Sequence, residues 1–344
     1  MANPRDEGLV GDPIQHGGNL ARARALFPQA PEPWIDLSTG INPHSYPHSA
    51  IPGNIFARLP EPALLEDLKA IAAKAYDAPS AAHVAAAPGT QILLPIVASL
   101  IQGRKAAVLS PTYAEHARAA RMAGFDVTET DDPRQLETAD LAVIVNPNNP
   151  TGRIVSKADL LALAAVMQIR GGLLVVDEAF ADVSEAKSVA DRVESGGLLV
   201  LRSFGKFYGM AGLRLGFAIS HPDVVRRIEE RLGPWAVSGP ALCVANEALA
   251  DGWWQVMMRR ELEDEAARLD ALLAAAGIKV FGGTSLFRLV RDPRAQALYH
   301  HLGRRGIITR GFDERPDDLR IGLPGQRDWS RLEEALASFD PKEQ

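Results

Sequence analysis

Residues 202–217 read RSFGKFYGMAGLRLGF. A lysine, Lys206, stands between Gly205 and two aromatic residues, and an arginine, Arg214, follows in a glycine-spaced GLRLGF. The stretch closes one apolar run, GGLLVLRSF, and opens another, LRLGFAIS. Runs this apolar on both faces are what a buried, mostly parallel sheet requires. The same pattern recurs upstream: HVAAAPGTQ leads into the helix QILLPIVASLI, and AAVLS ends at PTY before the helix AEHARAARMAG. LAVIV then ends at NPNNPTG, and the helix KADLLALAAVMQIR leads to GGLLVVDEAF. Strands alternating with helices predict an α/β layer structure. In such sheets ligands bind at the C-terminal ends of the strands. Here those ends carry GTQ, PTY, NPNNPTG, DEAF and SFGK, five polar turns converging on one crevice.

Beyond residue 235 the pattern changes. Residues 240–276 read as one long helical stretch, followed by IKVFG, SLFRLV, GIITR and DLRIGL as strands, with RAQALYHHLGRRG and RDWSRLEEALASF as helices. The expected division is an N-terminal arm that forms part of the small domain over 1–55, a large α/β domain over 56–235, and a smaller α+β domain over 236–344. The arm, rich in Pro, Gly and His, is expected to pack on the second domain or on a partner subunit.

With 344 residues, 47% apolar and 23% charged, the chain has the profile of a globular protein with a sizeable core. A net charge of −6 disfavours nucleic-acid binding. No apolar run reaches the ~18 residues of a membrane span. The opening MANPRDEGLVGDP has no apolar segment and is not read as a secretory signal. Cys243 is the one cysteine, so an intrachain disulfide and a cysteine metal cluster are excluded. His44, His48, His83, His116, His221, His300 and His301 show no metal-ligand spacing and read as structural or surface residues; no metal site is expected. Together these features predict a cytoplasmic protein.

The strand-end residues suit an aldehyde cofactor. A lysine amine attacks a carbonyl carbon, and Lys206 is the lysine among the strand ends. A pyridine ring used as an electron sink needs an acidic partner. Asp177, at the end of LLVVD, serves a pyridinium, a helix N-cap or an ion pair equally well. Asn149 offers a donor for a ring oxygen, or simple turn chemistry. Gly89, Thr90 and Gln91 open a helix, where a phosphate or an ordinary cap fits. Ser203 and Arg214 add a hydroxyl and a guanidinium suited to phosphate oxygens. Tyr113 is placed to stack on a ring or to fill the core.

Taken together, NPNNPTG, VVDEAF and SFGKFYGMAGLRLGF resemble the signature blocks of the class I/II aminotransferases, the fold-type I enzymes of pyridoxal 5′-phosphate (PLP). The resemblance spans about residues 34–335. It implies a homodimer in which Lys206 bonds the PLP aldehyde, Asp177 partners the pyridine nitrogen and Asn149 bonds the 3′ oxygen. It further implies that Tyr113 stacks on the ring, that Gly89, Thr90, Gln91, Ser203 and Arg214 hold the phosphate, and that Arg320 in DLRIGLPG grips the substrate carboxylate. Two branches are close: the histidinol-phosphate aminotransferases and the L-threonine-O-3-phosphate decarboxylases of cobalamin biosynthesis. HGGNLARARALF, WIDLSTGINPHSYP and ITRGFDERPDDLRIGLPG are similar to the second. That branch implies decarboxylation of L-threonine O-3-phosphate to (R)-1-amino-2-propanol O-phosphate, with His16, Asn42 and Arg310 on the substrate phosphate. Two positions depart from the family: Leu59 stands where many relatives carry a tyrosine reaching the neighbouring subunit's cofactor, and Phe180 where aminotransferases often carry the tyrosine of DEAY.

Overall fold

The computed structural model describes residues 16–340, so MANPRDEGLVGDP lies outside the described residues. In chain order the strands are β1 (Ile35–Asp36), β2 (Val84–Ala87), β3 (Lys105–Leu109), β4 (Asp126–Thr130), β5 (Leu141–Val145), β6 (Leu173–Asp177) and β7 (Leu198–Ser203). They continue with β8 (Gly216–Ser220), β9 (Val280–Thr284), β10 (Phe287–Arg291), β11 (Ile307–Ile308), β12 (Arg310–Gly311) and β13 (Asp318–Gly322). Seven of them form the central sheet in the order β2-β8-β7-β6-β5-β3-β4. Residues of β5 alternate between the two faces: Ala142 and Ile144 join one core cluster, Leu141 and Val143 the other. Both faces are therefore dry, as a sheet flanked by crossover helices demands.

One strand departs from the parallel pattern. β8 runs antiparallel to both β2 and β7, pairing Ala87 with Gly216 and Ser203 with Gly216. Its N-terminal end therefore lies at the same edge as the C-terminal ends of its neighbours. That reversal brings Arg214, two residues before β8, beside Ser203 and Gly89. The edge strand β4 has a mostly exposed, polar face (DVTET) and no apolar run to announce it.

A second sheet, antiparallel, has the order β12-β13-β10-β9. Residues 35–46 strap the two sheets together. At one end Ile35 and Asp36 pair in parallel with Ile307 and Ile308, and Gly322 N donates to Leu37 O at 2.7 Å. At the other, Asn42 N donates to Lys206 O and Tyr46 N to Tyr208 O, both at 3.0 Å. The expected long helix over 240–276 is two helices, Gly239–Ala250 and Gly252–Ala275. They break at Asp251, whose carboxylate caps Trp254 N at 2.9 Å; a capping side chain before a glycine competes with continuing the helix. Among the described residues no helix is long and apolar enough to cross a membrane.

Candidate active site

The cleft lies where the C-terminal ends of β5, β6 and β7 meet the strap and the second sheet. Register places Val145 against Asp177 and Asp177 against Leu201, so the turns after these strands are neighbours. The short helix Phe204–Phe207 starts directly after β7 and carries Lys206. Its Nζ lies 3.3 Å from the carbonyl oxygen of Thr39 and 5.6 Å from the centre of the Phe180 ring. Burial, with Arg320 nearby, pulls the Lys206 ammonium down from 10.5 to about 8, against the opposing pull of Asp177. An amine held this way is partly neutral near physiological pH, the state a nucleophile needs.

Asp177 is buried and uses both oxygens: Oδ1 accepts from Ala179 N at 3.0 Å, and Oδ2 lies 2.8 Å from His116 Nε2. His116 was expected to be structural or surface; it is buried behind Asp177 and sets that carboxylate's orientation. Its signal in the sequence is its place three residues after Tyr113 at the head of a helix, a spacing that carries meaning only once β3 and β6 are neighbours of β5.

Asn149 and Arg320 meet, with Arg320 Nη1 donating to Asn149 Oδ1 at 2.6 Å. The amide nitrogen of Asn149 faces no partner among the described residues. Arg320 Nη2 donates to Ser38 O, while its Nε is buried without a hydrogen-bond partner. Burial and the nearby Arg310 lower the Arg320 pKa to about 10. Arg310 and Arg320 are cross-strand partners on β12 and β13, so their side chains leave the sheet on the same face.

Gly89 adopts φ +90°, and a Cβ there would lie 2.6 Å from Arg214 Nη2. Only glycine leaves room for the guanidinium, which lies against Gly89 just ahead of Thr90, the first residue of the helix Thr90–Ala98. Arg214 is itself held at φ 55°, an uncommon conformation for a side chain of its size. Ser203 sits at the end of β7, opposite Gly216 two residues after Arg214.

Three expected ligands have their side chains engaged elsewhere. Gln91 Nε2 donates to Glu115 Oε2, and Gln91 Oε1 accepts from the Tyr113 hydroxyl, each at 3.0 Å, which leaves its backbone N–H for an anion. Asn42 is buried and bonds the chain itself, donating to Phe207 O at 2.7 Å and accepting from His44 N at 2.8 Å. His16 Nε2 lies 2.9 Å from Glu115 Oε1. The HGGN and DLSTGIN segments meet here: a Cβ on Gly17 would lie 2.3 Å from Ser38 O, and Gly18 N donates to Ser38 Oγ at 2.7 Å. Ser38 and Thr39, whose carbonyls receive Arg320 and Lys206, are site residues that motif reading passed over. Leu59 is exposed and away from this cleft's bonds; Phe180 is buried edge-on to Phe287 at 5.1 Å.

The donor set fits PLP. A partly neutral lysine, a buried carboxylate, an amide nitrogen, and a guanidinium beside a helix N-terminus match aldehyde, pyridine nitrogen, ring hydroxyl and phosphate, and Tyr113 offers an aromatic wall.

Comparison with known proteins agrees. A family profile described as aminotransferase class I and II matches residues 32–339. The chain is 43% identical over 330 residues to threonine-phosphate decarboxylase of Pseudomonas aeruginosa, covering 95% of this chain and 98% of that one. It is 44% identical to a protein of the same name from Sinorhizobium sp., over 95% and 99% of the two chains. The crystal structure of histidinol-phosphate aminotransferase from Sinorhizobium meliloti in complex with pyridoxal-5′-phosphate shares the fold, with a TM-score of 0.80 at 20% identity over 98% of this chain and 97% of that one. The chain belongs to the class I and II aminotransferase family, the fold-type I enzymes of PLP.

Proposed function

We propose that this protein is a PLP-dependent decarboxylase of L-threonine O-3-phosphate, releasing CO₂ and (R)-1-amino-2-propanol O-phosphate. The observation that carries the reading is the Arg310–Arg320 pair. Like charges opposite each other on neighbouring strands repel, and Arg320 adds a buried Nε with no partner. Such an arrangement is stabilised by a ligand bearing two anionic groups a few bonds apart, as a carboxylate and a phosphate are in threonine phosphate. The names of the Pseudomonas and Sinorhizobium relatives support the same substrate.

Lys206, Asp177, Asn149, Ser203, Arg214 and the backbone at Gly89–Gln91 would hold the cofactor. PLP supplies an electron sink for the pair left behind when a bond to the substrate Cα breaks. The chain decides which bond that is by orientation. Arg320 holds the carboxylate, and Arg310 with His16 holds the phosphate, so the substrate is pinned at both ends. The Phe180 ring lies 5.6 Å from Lys206 Nζ and the Phe287 ring 5.3 Å from the Arg320 guanidinium, an apolar pair that would keep water from the departing carboxylate. CO₂ leaves with the Cα–carboxylate bond broken, and Nζ of Lys206 delivers a proton to Cα. Asn42 is a positioning residue in this scheme, fixing the strap to the Lys206 helix.

We read the working unit as a homodimer. Supporting this, Leu59 and Trp235 are 63% and 57% exposed, and Trp235 lines a groove of about 300 Å³ with Pro60, Pro62 and Leu65 and the charged Lys69 and Glu229.

The test is incubation of PLP-loaded protein with L-threonine O-3-phosphate and no 2-oxo acid. CO₂ and aminopropanol phosphate in equal amounts support the reading. No CO₂, with amino transfer from histidinol phosphate to 2-oxoglutarate, replaces it with an aminotransferase.

A further inference from the structure

Glu115 is a buried carboxylate outside the set of residues assigned to PLP or substrate. It is the first residue of the helix Glu115–Met122 and is only 5% exposed. An acidic residue in a helix's first turn is favourable, yet a solvated side chain provides that without burial. Taking a carboxylate out of water costs several kcal/mol unless partners replace the water. Its partners come from two distant parts of the chain and from its own helix. Oε1 lies 2.9 Å from His16 Nε2 and 3.3 Å from Arg118 Nη1, and Oε2 accepts from Gln91 Nε2 at 3.0 Å. Gln91 in turn receives the Tyr113 hydroxyl at 3.0 Å. The Tyr113 ring stands edge-on to His116, centroids 5.9 Å apart, and His116 bonds Asp177. The His16 ring is 6.0 Å from that of Tyr113.

Two features make this more than helix-end chemistry. His16 and Glu115 are 99 residues apart, so the contact ties the HGGN segment to the helix Glu115–Met122 that follows β3. Among the described residues His16 Nδ1 has no partner, so the carboxylate grips one ring nitrogen and leaves the other for a ligand. The docking of Gly17 and Gly18 on Ser38 completes the tether, on the strap whose carbonyls receive Arg320 and Lys206.

We propose that Glu115 is a positioning residue for the reaction: it presents His16 to the substrate phosphate and, through Gln91, fixes Tyr113 in the wall of the site. The proposal rests on the reading of His16 as a phosphate ligand. It therefore predicts that Glu115 and His16 act as a unit, and that the tether exists whatever the substrate.

The experiment compares wild type, Glu115→Gln, His16→Asn and the double variant, each loaded with PLP. Glu115→Gln keeps the shape and removes the charge, and bound-cofactor absorbance reports that the fold is intact. Losing a charge-assisted bond predicts a KM for L-threonine O-3-phosphate raised about 10-fold in either single variant, with kcat within about 3-fold. The double variant should be no worse than the weaker single, because residues in one network are non-additive. Exchange of the Gly18 amide, read by mass spectrometry, should quicken about 10-fold in Glu115→Gln. Unchanged KM and exchange, a fall in kcat alone, or effects that multiply in the double variant would overturn the proposal. If wild type releases no CO₂ from threonine phosphate, the substrate reading fails instead; quickened exchange then still supports the tether, and unchanged exchange removes it too.

Discussion

The cleft has a cost in stability that can be measured at one residue. Lys206 is half-buried with Arg320 and Arg214 near it, and its ammonium is held down from 10.5 to about 8. A lysine whose folded pKa is depressed destabilises the fold wherever the unfolded chain would be protonated. Below about pH 8 both states carry the proton and the full penalty applies. Between the folded and unfolded values the unfolded chain binds more protons, so stability rises with pH until the penalty is gone near 10.5. The drop corresponds to about 3 kcal/mol, an upper figure because the cleft is partly open to water. Replacing Lys206 with methionine keeps the length of the side chain and removes the charge. In cofactor-free protein at pH 7, Lys206→Met should be more stable by up to about 3 kcal/mol, a rise in Tm of about 4 °C for a chain of this size. At pH 10 most of the difference should vanish, since wild type has lost its buried charge. Scanning calorimetry of both proteins at the two pH values reads this directly. A variant no more stable than wild type at pH 7, or an advantage that persists undiminished at pH 10, would refute the idea that a desolvated ammonium is stored here.

Three further outcomes follow from the geometry. Arg310→Gln should raise KM for L-threonine O-3-phosphate about 10- to 100-fold, the worth of a charged hydrogen bond, while kcat/KM for unphosphorylated L-threonine hardly changes; Arg320→Gln should weaken both substrates in steady-state assays. Gly152 has φ +73° and a Cβ there would lie 2.1 Å from Gly283 O, so Gly152→Ala should cost about 2 kcal/mol or more in urea unfolding by prising the Asn149 loop from β9. The hydrogen bond that His44 Nε2 donates to Glu265 Oε1 raises the His44 pKa above 6.5, so this pair's stabilisation is complete below 6.5 and fades as pH climbs through the raised folded value. His44→Ala should accordingly destabilise more at pH 6 than at pH 9.

The central sheet was readable because each buried strand is a run of Leu, Val and Ala ending in a polar turn. Those ends mark Asp177, Asn149, Ser203 and Lys206 as neighbours, since parallel strands must bring their C-terminal ends to one edge. The antiparallel β8 was not readable from its own composition, yet it is what carries Arg214 to that edge. The polar β4 lacks the run that marks the others. Side-chain partners formed across long separations were invisible for a simple reason: Gln91, Asn42 and His116 each have ordinary local explanations. Whether their polar atoms face a ligand, the backbone or a buried carboxylate is decided by residues 24, 165 and 61 positions away. The break at Asp251 was missed because periodicity continues across it while the capping geometry changes.

The central claim is that this site breaks the Cα–carboxylate bond and leaves Cα–H intact. Running the reaction with L-threonine O-3-phosphate in D₂O to partial conversion tests it in one mass spectrum. Aminopropanol phosphate carrying a single deuterium on the amino-bearing carbon, with no deuterium at Cα of the recovered substrate, is the expected result. Deuterium accumulating at Cα of recovered substrate without CO₂ release would contradict it.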